Sequence, residues 1–253
     1  VSLSLQEQID YLVASTLLEV RSGFNLRKFK TMTFKGQWKY ANKHLKQLGM
    51  GSSRTAFLTS NRFVLKLALP GPNLMKGVGQ NEAELDLFTN PKMKPVVAKI
   101  FDYDDVNHRV QWLVVELVRP LKARELEDKI GTKLEIAEAA WELFLGADNN
   151  LEWAQEQAEA NIDRAADELD RLDVTQDRDS SSIEHYNDMM EKAELVLKSM
   201  SNPFVRLVME LVDEFGLILG DVGVVGHWGK TADGRVVLLD YGFTKEVLDR
   251  YYQ

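Results

Sequence analysis

GLILGDVGVVGHWGKTADGRVVLLDYGF, residues 216–243, is the stretch on which the reading of this chain turns. Three short β-rich runs, LILGD, VVG and RVVLLDYG, are separated by glycine-containing connections and by the turn TADG. Asp221 closes the first run and Asp240 the last. Aspartates at strand ends often serve only as turn residues, so the pair gains meaning from what the rest of the chain supplies.

Just upstream, NPFVRLVMELVDEF carries Pro203 just inside a helix start and is followed by Gly216, the asymmetry expected of a helix. From Lys122 to Phe215 nearly everything reads helical, with Leu151, Ala158, Ile162, Ala165, Leu169 and Leu172 as an apolar stripe on an acidic element. The run TQDRDSSS interrupts it as a loop whose serines cap a helix starting near Ile183. At the other end, Leu5, Ile9, Leu12, Val13, Leu17 and Leu18 predict an N-terminal helix. Phe34 to Leu69 reads as short β-rich runs, notably TAFLTS and RFVLKLAL, joined at Asn61 as a hairpin. GPNLMKGVGQ reads as a loop, NEAELDLF as a helix stopped at Asn90-Pro91, and VVAKIFDY and VQWLVVELV as strands joined by DDVNH. Strands first, helices second and a terminal β element predict an α+β fold divided near Arg119–Leu121, with residues 1–119 β-rich and 120–253 mostly helical.

Within this frame, Lys66 sits in the apolar run FVLKLAL, where an ammonium either protects an edge strand or has a partner. LGMGSSRTAF puts Gly49 and Gly51 between strand runs, so that a hairpin backbone can close over a ligand with no Cβ in the way. NEAELDLF offers Glu84, with Glu82 as the alternative, and WLVVELV is a strand carrying Val115, Glu116 and Val118. In this order and spacing, these features and the two aspartates resemble the protein-kinase-like superfamily, in particular small bacterial and phage members with a Q-N-x-x-E run such as Gln80–Glu84. ILGD is similar to the H-G-D of small-molecule kinases and LLDYG to D-F-G.

The resemblance implies a two-lobed α+β fold, a β-rich N-lobe and a mostly helical C-lobe, binding ATP with Mg²⁺ or Mn²⁺. It assigns Lys66 to the α- and β-phosphates, Glu84 as its partner, Gly49 and Gly51 to the phosphate cover, and the backbones of Glu116 and Val118 to adenine. Asp221 becomes the catalytic residue that accepts or orients the acceptor proton, and Asp240 the metal ligand. The chain departs from the family in two places. Arg54 stands where the third glycine of G-x-G-x-x-G is expected, offering a guanidinium to the nucleotide instead. The place of the catalytic-loop asparagine is Gly226, followed by His227, an imidazole better suited to Mn²⁺ than to Mg²⁺ as a metal ligand. Thirteen residues follow Asp240, so a long activation segment with its peptide-docking helices is not expected in this chain.

Composition narrows the remaining choices. With no cysteine there is no disulfide, thiolate nucleophile or zinc-thiolate site, and a reducing compartment, the cytoplasm, is expected. No segment approaches the roughly 18–20 apolar residues of a membrane span, and the start, VSLSLQEQIDYLV, lacks the basic region of a leader. The net charge of -8 hides an asymmetry. Arg21–Lys76 holds twelve Lys or Arg and no acidic residue, whereas Ala147–Met200 holds fifteen acidic residues against five basic ones. Three functions fit: an ATP-dependent phosphotransferase whose acceptor stays open, a pseudokinase module that engages a protein partner, and, as a third choice, nucleic-acid binding by the basic region.

Overall fold

The computed structural model describes residues 23–60, 62–104, 109–175 and 180–252. The expected N-terminal helix, Asn61 at its hairpin, the turn after Asp104 and residues 176–179 of the expected loop lie outside the described residues. Two compact units emerge: residues up to Pro120 together with those from Gly216 onward, and Leu121–Phe215. The stretch from Gly216, expected with the helical half, therefore groups with the β-rich half. Main-chain bonds show why: Ala98 N donates to the Leu238 carbonyl at 3.0 Å and Leu238 N to the Val96 carbonyl at 2.8 Å.

The first unit is built on a sheet of β1 (Lys46–Met50), β2 (Arg54–Leu58), β3 (Phe63–Ala68), β4 (Ile100–Tyr103) and β5 (Trp112–Glu116) in the order β1-β2-β3-β5-β4. Every pairing is antiparallel. Side chains alternate across a strand, so Leu65 and Leu67 face one side and Lys66 the other. On the Leu65 side, Phe57, Leu67, Trp112 and Val114 form one core with Phe24, Phe29, Ala41 and Leu45. These last come from or flank α1 (Leu26–Lys30) and α2 (Phe34–His44). Phe34–His44 was expected within the β-rich region; it is helical because the Thr33 side chain caps the Gly36 amide and Gln37 and Ala41 share a buried face.

On the Lys66 side lies α3 (Leu74–Thr89). It starts earlier than NEAELDLF predicts and absorbs Gly77 and Gly79, read as loop. Helical glycine costs roughly 1 kcal/mol against alanine, yet here a side chain is excluded. A Cβ on Gly77 would lie 2.8 Å from the Ala68 Cβ, and one on Gly79 would run into the Tyr251 ring. Close approach of helix to sheet thus replaces propensity as the reason for these residues.

The second unit is helical: α4 (Ala123–Ile130), α5 (Leu134–Gly146), α6 (Leu151–Thr175), α7 (Ser180–Ser199) and α8 (Pro203–Asp213). Its core joins Leu126, Ile130, Trp141 and Phe144 with Val205, Val208 and Leu211, all buried, and Trp141 Nε1 donates to the Val205 carbonyl at 3.2 Å. Asn202 caps α8 through the amides of Phe204 and Val205, with Pro203 in the first turn as predicted. Ala158 and Ala165 of the predicted stripe are buried. Together the antiparallel sheet and this helical region make the fold α+β.

Beyond Gly216 the chain returns to the first unit. The expected strand LILGD is instead a single bridge from Leu217 to Thr244 followed by the helical turn α9 (Leu219–Val222). VVG gives way to a 3₁₀ turn at Val225–His227. Then β7 (Trp228–Lys230) and β8 (Val236–Leu238) join β6 (Arg119–Pro120) in a small antiparallel sheet, and α10 (Lys245–Tyr251) ends the described chain. Among the described residues, no helix is long and apolar enough to cross a membrane.

Candidate functional site

Lys66 lies on β3, between β2 and β5, so it is not an edge-strand guard. Its Nζ donates to both carboxylate oxygens of Glu84, at 2.7 and 2.8 Å, and to the Leu239 carbonyl at 2.7 Å. Glu84 projects from α3 and is fully buried. A buried carboxylate is tolerated only with charge partners and hydrogen bonds. Glu84 has a second cation, because Arg54 NH1 lies 2.8 Å from its Oε1.

Register explains how the two cations converge. Arg54 on β2 pairs with Ala68 and Ala56 pairs with Lys66, so both cationic side chains leave the sheet on the face that α3 covers. The guanidinium also donates to Asn81 Oδ1 at 3.2 Å, and Asn81 is itself fixed by donating to the Val110 carbonyl at 3.0 Å. The other end of the guanidinium pairs with Asp240 Oδ1. A chain of alternating charges, Lys66, Glu84, Arg54 and Asp240, thus crosses the site. Arg54 is only 7% exposed, whereas 48% of the Asp240 side chain remains open.

The stretch Gly216–Phe243 brings the two aspartates to this network. Buried Trp228 donates Nε1 to the Val222 carbonyl at 2.6 Å, and Leu239 N donates to the His227 carbonyl at 2.7 Å, which ties the Asp221 loop to the strand before Asp240. His227 Nδ1 lies 2.8 Å from the Asp221 main-chain carbonyl. A carbonyl only accepts, so Nδ1 is the ring nitrogen that donates here. Tyr241, 1% exposed, donates its hydroxyl to the Ala98 carbonyl at 3.0 Å and lies below the Lys66 ammonium.

These groups differ in charge preference. Partial desolvation by the packed network opposes ionisation of Asp240, but the Arg54 guanidinium and then the Lys66 ammonium outweigh it and hold the carboxyl well below the usual carboxylate range. Burial raises Asp221, aided by the nearby Asp240 charge and countered by His227 and Arg54. Burial works against the charge of Arg54, yet Asp240 and Glu84 hold it still more firmly protonated than a free guanidinium.

A cleft of about 450 Å³ opens over the network. Of the predicted residues, Gly49, Gly51, Arg54, Lys66, Asp221, His227 and Asp240 line it. Glu84 lies behind Lys66, with no exposed surface. The two residues assigned to adenine fall elsewhere. Glu116 and Val118 are not on the cleft wall; the Glu116 amide donates to the Lys99 carbonyl at 2.8 Å and its carboxylate accepts from Arg235 at 2.9 Å. Val118 instead borders a second concavity, beside Lys230 and Thr231. A Cβ on Gly229 would lie 2.6 Å from Val118 Cγ1, so β7 presses directly on that segment.

Sequence reasoning missed the aromatic wall. Phe243 and Tyr252 line the cleft with ring centroids 5.0 Å apart. The Tyr252 hydroxyl accepts from Gln80, which in turn accepts from Ser53 at 2.6 Å. No spacing signals a contact between the β1–β2 hairpin, α3 and the last residues of the chain; only Gln80 had been noticed, as the start of Q-N-x-x-E.

A divalent cation is implied by the resemblance, and the donors here fit one held jointly with phosphate. Among the described residues no group of three or more His, Asp or Glu side chains could hold a metal by itself. Mg²⁺ commonly takes one or two carboxylates and completes its shell with phosphate and water oxygens. Asp240 already holds one cation, the Arg54 guanidinium, which shows that its oxygen is placed to receive positive charge.

No family model and no curated protein matches the chain. Several solved structures are similar to it, among them two GDP complexes. The GDP and kanamycin complex of APH(2″)-IIIa shares 14% identity over 80% of this chain and 68% of that one, with a TM-score of 0.33. The GDP complex of a point mutant of aminoglycoside 2′-phosphotransferase-IIIa shares 14% identity over 79% of this chain and 66% of that one, also with a TM-score of 0.33.

Proposed function

We propose that the cleft binds a nucleoside triphosphate, ATP, and that the protein is a kinase-type phosphotransferase. The observation that carries this reading is that Lys66, backed by buried Glu84, lines one cleft with Asp221 and Asp240, although the four residues are scattered over the chain. Lys66, fixed by Glu84 and the Leu239 carbonyl, presents an ammonium to the α- and β-phosphates. The hairpin carrying Gly49 and Gly51 covers them. Asp221, whose proton affinity burial raises, orients and accepts the proton of an acceptor hydroxyl. Asp240, kept ionised by its cations, is the carboxylate for Mg²⁺ or Mn²⁺, which when bound neutralises charge on the phosphate oxygens. Nε2 of His227 is the additional donor, and its presence favours Mn²⁺. The Glu116 amide, already bonded, does not serve adenine in this reading.

The Arg54–Asp240 pair favours a second reading, a pseudokinase-like module whose metal carboxylate is permanently closed. A thermal-shift series with nucleotides and Mg²⁺ or Mn²⁺, followed by ATP turnover against pooled acceptors, separates the two. Metal-dependent stabilisation lost in Lys66→Ala, with turnover lost in Asp221→Asn, is expected for the enzyme. Nucleotide binding without turnover leaves the module, and a folded protein that binds no nucleotide refutes both.

A further inference from the structure

We infer that Arg54 is a resident counter-cation that couples the loading of metal and nucleotide: a divalent cation arriving at Asp240 displaces the guanidinium, which then turns to a phosphate oxygen. This rests on the nucleotide reading above. The network Lys66, Glu84, Arg54 and Asp240 is closed, with two cations against two carboxylates. A triphosphate entering alone meets cations already neutralised. A metal entering alone meets a carboxylate already paired, and would leave the NH2 side of a guanidinium that is 7% exposed without its anion. Either event breaks a charge pair without replacing it, which is costly in a desolvated place.

Arriving together, the two ligands leave no ion without a partner. The carboxylate takes the metal, and the guanidinium takes phosphate oxygens, to which its planar fork is suited. The exchange needs little motion. NH1 stays on Glu84 Oε1 at 2.8 Å and on Asn81 Oδ1 at 3.2 Å, while only the NH2 side changes partner. Asp240, with nearly half of its side chain exposed, can receive a metal from the cleft side. Glycine at this position would have no such linkage.

The test uses the whole chain, with thermal shift and calorimetry under three conditions: Mn²⁺ alone, ATP with EDTA, and both ligands together. Wild type is expected to show no shift with Mn²⁺ alone, and an ATP affinity that rises about 5–150-fold when Mn²⁺ is added, the usual range of coupling between two sites. Arg54→Gln uncovers Asp240, so Mn²⁺ alone stabilises it and the coupling factor falls toward one. Arg54→Lys, which keeps the charge but cannot span both carboxylates, gives the same direction if the glutamine variant does not fold. Equal ATP affinity of wild type with EDTA and with Mn²⁺, or an undiminished factor in the folded variant, overturns the inference while leaving the nucleotide site standing. ATP binding to folded wild type under none of the conditions refutes the site itself, and the coupling with it.

Discussion

Replacing Glu84 by glutamine keeps the shape of the side chain and removes its charge, which isolates what the carboxylate does. Glu84 is fully buried and faces two cations that are themselves 13% and 7% exposed, so little solvent screening discounts the interaction. Removing one partner from a buried ion pair costs about 3–5 kcal/mol. The low end applies, because Lys66 retains the Leu239 carbonyl and Arg54 retains Asp240. For a chain of this size each kcal/mol moves Tm by roughly 2–4 °C, so a fall of about 6–12 °C is expected. The assay is thermal and urea unfolding of wild type and Glu84→Gln, with the urea slope compared to verify that the same structure unfolds. A Tm within about 2 °C of wild type at unchanged slope, about 0.5–1 kcal/mol on that scale, refutes the reasoning. It would mean that the two cations do not depend on Glu84.

Two further predictions concern pH and have opposite signs. The folded pKa of Asp240 is depressed, so its contribution to stability is complete above the ordinary carboxylate range and is lost as pH falls toward the depressed value. Asp240→Asn is therefore expected to be destabilising at pH 7, with the gap to wild type closing below about pH 4; a gap independent of pH in urea titrations contradicts this. The folded pKa of Asp221 is raised, so its charge costs stability at neutral pH and the cost vanishes once both states are protonated. Asp221→Asn is expected to have a higher Tm than wild type at pH 7 and to lose that advantage in acid, and a lower Tm at pH 7 would sink the reading. Gly242→Ala drives a Cβ into the Gln80 main chain and to within 3.0 Å of Glu84 Cγ. Overpacking of this kind costs about 1–3 kcal/mol, measurable by urea unfolding, whereas Gly146→Ala, with open space around it, is expected to cause no comparable loss.

What the sequence made legible was chemistry concentrated in unusual residues. Lys66 inside an apolar run announced itself because a charge among hydrophobic neighbours requires a partner, while Glu84 stands ahead of Glu82 only through the Q-N-x-x-E resemblance; Lys66 and Glu84 meet at 2.7 Å. Asp221 and Asp240 gained meaning only from the order and spacing of the other features, and the strand expected to end at Asp221 is a helical turn. The β3 and β5 strands were readable from their β-branched and apolar runs. Features set by long-range packing were not readable. The helical state of Phe34–His44 depends on a cap at Thr33 and on burial against the sheet, while Gly77 and Gly79 look like loop residues until their neighbours are known. The adenine reading of Glu116 and Val118 rested on position alone, because main-chain groups leave no mark in side-chain identity, and position does not reveal that the Glu116 amide is bonded to the Lys99 carbonyl. The Arg54 bridge to Asp240 spans most of the chain, beyond the reach of any local pattern.

The glycines around α3 carry one more consequence. Gly77 lets the helix lie flush on β3, Gly79 lets the Tyr251 ring seat against it, and Gly242 brings the segment after Asp240 onto the Gln80 backbone. A helix gripped on several sides has no track along which to slide or rotate. The Lys66–Glu84 link, held at 2.7 Å, therefore behaves as a rivet between sheet and helix.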